Sequence, residues 1–140
     1  MDLGTFGAIL KYAIDIEGGA AGYYDSLAAL APAENKAQVA EMAAASRKNK
    51  QVLERTKRME MQEMILEAIS GLDTANYDIA FVAPSEYKAG MAHAVAIEGK
   101  AASFYCDSAS KLGFLGNVKR ILEKMGKERE ARSAKLRSLQ

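Results

Sequence analysis

The segment Ala13–Ala28 recurs 81 positions later as Ala94–Ala109, ungapped and identical at eight of its sixteen positions. The shared residues are Ala13, Ile16, Glu17, Gly18, Ala20, Ala21, Tyr24 and Ala28, each matched by the same residue in the second copy. In a chain of 140 residues this spacing points to two copies of one helical hairpin, each of which needs the other to bury its apolar face. One domain over residues 1–140 is the expected organisation, since the length suits a single core.

Breakers divide the chain into four segments of helical periodicity. The first is expected from Thr5 to Ala31, ending at Pro32, and the second from Glu34 to Ile69, ending at Ser70-Gly71. Ser85, after Pro84, is the expected N-cap of the third, which runs to Leu112 before Gly113; Asn117 is the expected cap of the fourth. With no other proline in the chain, the helices can be long. The connection 71–83 is long enough to cross a bundle, whereas the other two are short. These lengths predict an all-α, antiparallel four-helix bundle of two helical hairpins joined by a long crossover.

Reading each helix at alternating steps of four and three residues gives a seam that is apolar toward both ends and polar at its midpoint. On the first helix the seam is Phe6, Leu10, Ala13, Glu17, Ala20, Tyr24 and Leu27. On the third, Glu98 and Tyr105 take the equivalent places. The second helix contributes Ser46 and Asn49 between Met42 and Leu53, and the fourth contributes Arg129 and Arg132 between Met125 and Leu136. These midpoints should share one height, so Glu17, Ser46, Asn49, Glu98, Arg129 and Arg132 are expected to form a buried polar layer, with Tyr24 and Tyr105 hydrogen-bonding in it. Two buried carboxylates require cations, protons or metal. Two arginines balance two glutamates formally, and guanidinium forks can satisfy several carboxylate oxygens at once.

Composition narrows the classes of function. Nineteen basic and 18 acidic residues leave a net charge of +1, with no global attraction to nucleic acid or anionic membrane. The basic runs Arg47–Arg58 and Val118–Leu139 read as solvated helix faces. There is no signal-peptide pattern and no apolar stretch of spanning length, so a cytoplasmic location is expected. Cys106 alone builds no disulfide and reads as a helix-flank packing residue. His93, off the seam, reads as a packing or surface residue. Gly18, Gly19, Gly99 and Gly126 lie inside helices at about 1 kcal/mol each relative to alanine, which suggests close approach or a bend. Met59, Met61 and Met64 extend the second helix beyond the seam as core or interface packing. With Tyr77, Ile79, Phe81 and Val82 of the crossover, they predict apolar surface that a homodimer would cover.

The stretches Ala13-Ile14-Asp15-Ile16-Glu17 with Tyr23-Tyr24, and Ala94-Val95-Ala96-Ile97-Glu98 with Phe104-Tyr105, resemble the first and third helices of rubrerythrins in the ferritin-like superfamily. The resemblance covers nearly the whole chain as a pattern, apart from the crossover. It implies a site for two iron or manganese ions, built from one glutamate on each of two helices and Glu-x-x-His on each of the other two. Of that set only Glu17 and Glu98 remain. Ser46-Arg47-Lys48-Asn49 and Arg129-Glu130-Ala131-Arg132 stand where the two Glu-x-x-His motifs are implied, and no C-x-x-C pair is present. A shifted register in the fourth helix would bring Glu128 or Glu130 inward instead.

The expectation is therefore a rubrerythrin-like protein with a degenerate di-iron site and no cofactor. It would be a metal-free scaffold or interaction protein, with a small-molecule or protein partner that the residues do not identify. The alternative implied by the resemblance is a non-haem oxidoreductase that reduces peroxide or oxidises iron at an atypical iron or manganese site held by Glu17 and Glu98.

Overall fold

A computed structural model describes residues 2–61 and 68–140, with Met61 described by its backbone alone. Its described residues form four helices: α1 (Phe6–Leu30), α2 (Ala33–Met61), α3 (Tyr87–Lys111) and α4 (Gly116–Ser138). A short 3-10 turn, Thr74–Tyr77, lies between α2 and α3. Thr5 caps α1, its hydroxyl accepting from the Ala8 amide at 3.1 Å. Pro32 ends that helix, and its carbonyl accepts from the Asn35 and Lys36 amides at the start of α2. Helices α1 and α2 pack closely, as do α3 and α4, in a helical bundle where α1 approaches α3, and α2 approaches α4, less closely.

Three expected helix ends fall elsewhere. Ala68, Ile69 and Ser70 are not helical: the Ile69 amide donates to the Gly4 carbonyl at 3.0 Å and the Leu3 amide to the Leu72 carbonyl at 2.9 Å. Leaving the helix lets Ile69 and Leu72 bury with Leu3 against one end of the core. Gly71, at φ +88°, makes the turn between them, a conformation that a Cβ would strain. The expected stretch of helix over 62–67, with Met64, lies outside the described residues. At α3 Glu86 has extended dihedrals and is the cap, one residue beyond Ser85, with no side-chain hydrogen bond. At α4 a tight turn returns the Leu115 amide to the Leu112 carbonyl at 2.9 Å. Leu115 is therefore the cap, packing its side chain on the core, and Asn117 falls inside the first turn.

The core is two apolar clusters. One holds Phe6, Leu10, Leu53, Phe104 and Leu122 with the Leu3–Leu72 end; the other holds Leu27, Val39, Met42, Met91 and Leu136. Between them lies the polar midpoint. The crossover binds the bundle rather than standing off it: Tyr77 is buried and Ile79 and Phe81 pack on the core, leaving Val82 open at 76% exposure. This corrects the expectation that all four side chains form exposed apolar surface, and for Phe81 the reason is Gly19. The Phe81 ring lies directly over that helix position, where a Cβ would collide with it. Gly126 likewise meets α3 at Tyr105, but neither Gly18 nor Gly99 meets a backbone or ring, and the structure explains neither.

Candidate functional site: a buried carboxylate–guanidinium layer

Glu17, Ser46, Glu98 and Arg129 are completely buried, as are Tyr24 and Tyr105, and Asn49 and Arg132 are nearly so. All eight residues read from the seams thus come together. The register of α4 is fixed by its buried positions Val118, Leu122, Met125, Arg129, Arg132 and Leu136. Glu130 points to solvent and Glu128 reaches only the layer's edge.

Arg129 is the centre. Its Nη1 donates to Glu98 Oε1 at 2.7 Å and to Oε2 at 2.9 Å, while its Nη2 donates to Glu17 Oε2. One planar fork therefore holds both carboxylates, a geometry a lysine ammonium could not reproduce. Burial opposes the charge on Arg129, but Glu17 and Glu98 outweigh it and push its pKa further upward. Arg132 is held less tightly. It divides its donors among Ser46 Oγ at 2.9 Å, Glu98 Oε1 at 3.4 Å and Glu128 Oε1 at 3.2 Å, and lies over the Tyr24 ring with its guanidinium carbon 5.6 Å from the centroid.

The tyrosines cross over. Tyr24 on α1 donates to Glu98 Oε1 on α3 at 2.5 Å, and Tyr105 on α3 donates to Glu17 Oε2 on α1. Burial, then the adjoining Glu98 charge, raises the Tyr24 pKa; burial, then Glu17, raises that of Tyr105. Both phenols are thereby kept as donors. The repeated Glu-x6-Tyr spacing put each pair on one face of its helix, but only the packing of α1 on α3 decides that each tyrosine serves the other helix's glutamate.

A di-metal centre does not fit these residues. Three of the four oxygens of Glu17 and Glu98 already accept from guanidinium or phenol donors. Of these four oxygens, Glu17 Oε1 is the one with no hydrogen-bond partner among the described residues. One free oxygen beside a guanidinium is neither the ligand number nor the charge that a pair of divalent ions requires. Asn49 turns its amide nitrogen, not its oxygen, toward Glu128 at 3.1 Å. Among the described residues, no three His, Cys, Asp or Glu side chains cluster as metal ligands.

His93 is exposed, with Nε2 2.7 Å from the Ala80 carbonyl, and ties the crossover to α3. Cys106 is exposed too, so its expected packing role is corrected: it lines a surface cavity between α3 and α4. The contact that seam reading missed is Glu128 with Asn49 and Arg132. Its Glu128/Arg132 half had a signal, an i, i+4 acid–base pair on α4. Among the described residues no helix is long and apolar enough to cross a membrane. Comparison with protein families and with characterised proteins gives no match to this chain. The class defined here is therefore a helical bundle with a charged, hydrogen-bonded central layer.

Proposed function

We propose that this chain is an antiparallel bundle of the ferritin-like type, similar to rubrerythrins, in which a guanidinium takes over the charge balance that a metal pair would supply. We propose further that it works as a metal-free scaffold or interaction protein. The observation that carries this reading is the buried Arg129 fork on both Glu17 and Glu98. A carboxylate pair neutralised in this way has three of its four oxygens engaged, which leaves too few ligands to hold a redox metal for peroxide or iron chemistry. Self-association as a homodimer belongs to the same reading, supported by Met59 at the end of α2, which is 63% exposed.

The test is metal analysis of protein expressed in iron- and manganese-supplemented medium and purified without chelator. Because both Glu-x-x-His motifs are missing, less than about 0.2 equivalents of either metal is expected. Near-stoichiometric metal that is lost on Glu17→Gln and Glu98→Gln substitution would replace the scaffold reading with the oxidoreductase. Light scattering on the same sample reads the dimer, and a monomer at high concentration removes that part of the proposal.

A further inference from the structure

The α2–α4 face carries polar groups and cavities that the neutral central layer does not use. A cavity of about 300 Å³ lies between the two helices, with Val52, Ile121 and Met125 on its apolar side and Lys48, Lys124 and Asn49 on its polar side. A second, of about 280 Å³, opens beyond it; Ala45 and Glu128 border both, so the Glu128 side chain partitions one groove.

Glu128 fills that position as a carboxylate reaching in from the surface. Its Oε1 accepts from Asn49 Nδ2 at 3.1 Å and from Arg132 Nη2 at 3.2 Å, yet its side chain is 35% exposed and belongs to the same helix as Arg132. Glu17 and Glu98 already balance Arg129 and Arg132 in charge, so neutrality of the layer does not require Glu128. What requires an acceptor there is the pair of nearly buried donors, which would be left unpaired without one. Around the opening, Lys48, Lys124 and Lys135 are exposed, and among the described residues none is in an ion pair.

We infer that this groove is a binding site for a small aliphatic monocarboxylate. The ligand's carboxylate takes the place of the Glu128 carboxylate on Asn49 and Arg132, and its hydrocarbon chain lies along Val52, Ile121 and Met125. A pocket with a few convergent donors at one end and apolar walls at the other is the usual form of a small-molecule site, and about 300 Å³ is at the small end of the range. Lys48 and Lys124 attract the anion at the entrance. The site uses the outer edge of the central layer and so rests on that layer being metal-free.

Hexanoate is the probe, titrated into the full chain and followed by amide chemical shifts, with hexan-1-ol and inorganic phosphate as controls. Saturable shifts at Asn49, Ile121 and Met125 are expected with hexanoate only. Glu128→Ala removes the internal competitor and should tighten hexanoate about tenfold, because the competent state is then always populated. Glu128→Gln, which keeps the side chain's shape, should tighten it less, and the exposed Lys124→Glu should weaken it. Absence of saturable shifts, equal shifts with hexan-1-ol or with phosphate, or no tightening in either Glu128 variant would overturn the site. Metal content measured on the same sample separates that failure from failure of the metal-free reading.

Discussion

The two helical hairpins supply the central layer unequally. From α1 and α2 come one carboxylate, Glu17, and two neutral groups, Ser46 and Asn49; from α3 and α4 come one carboxylate, Glu98, and two guanidinium groups, Arg129 and Arg132. Neither hairpin is neutral by itself: the first carries a buried negative charge and the second an excess buried positive one. Balance is reached only when they pack, through Arg129 on Glu17, and the exchanged tyrosines add neutral donors across the same junction. A layer of this kind adds little net stability compared with an apolar one, but it makes separation or misregister of the hairpins expensive by stranding charge.

The largest expected effect comes from removing the bridging cation. Arg129→Met leaves Glu17 buried with no guanidinium and Glu98 with Arg132 alone, and should destabilise the fold by about 3 to 5 kcal/mol in denaturant melts. Adding Glu98→Gln removes a stranded charge, so the double variant should be more stable than Arg129→Met alone. Strictly additive losses would mean the two groups are not coupled across the layer and would break the comparison.

Smaller losses should follow from the tyrosines, one at a time. Tyr105→Phe and Tyr24→Phe each delete a donor to a buried carboxylate, a change of about 1.5 to 3 kcal/mol for a hydrogen bond to a charged group. Tyr105→Phe should cost more, because Glu17 then keeps Arg129 alone, whereas Glu98 keeps both Arg129 and Arg132. Equal losses, measured by urea midpoints, would show that the hairpins are less unequal than their charges imply.

The mildest perturbation is alkaline pH. Burial pushes the Tyr23 pKa from its ordinary 10.0 up to about 12, and its hydroxyl donates to the Gly90 carbonyl at 2.6 Å, joining α1 to α3. A pKa raised by folding favours the neutral phenol in the folded state. The contribution is therefore fully present below pH 10 and is lost as pH rises through about 12. Tyr24 and Tyr105 act in the same direction. Urea midpoints should fall between about pH 9 and about pH 11, and Tyr23→Phe should reduce the fall without removing it. A flat profile would mean that these phenols ionise as freely in the fold as outside it.

Much of this was legible in the residues. Seam positions such as Leu10, Glu17, Leu53, Glu98, Leu122 and Arg129 fall inside because helical spacing fixes which side chains share a face, and a polar residue at the middle of each seam has to find partners at that height. The 81-residue repeat marked Glu17 and Glu98, Tyr24 and Tyr105, as equivalents. Spacing does not say how far two helices approach, which rotamer a long side chain takes, or where a chain leaves a helix to bury an apolar residue. Those are settled by contacts between residues far apart in sequence. Packing alone put Phe81 over Gly19, took Ile69 out of helix two to pair with Gly4, crossed each tyrosine to the other helix's glutamate, and left Glu128 bridging Asn49 and Arg132 at the open face. The sequence by itself determined which charges would be buried, because burial follows the period of a helix. The tertiary structure decided which charge meets which, because that depends on the distance between helices.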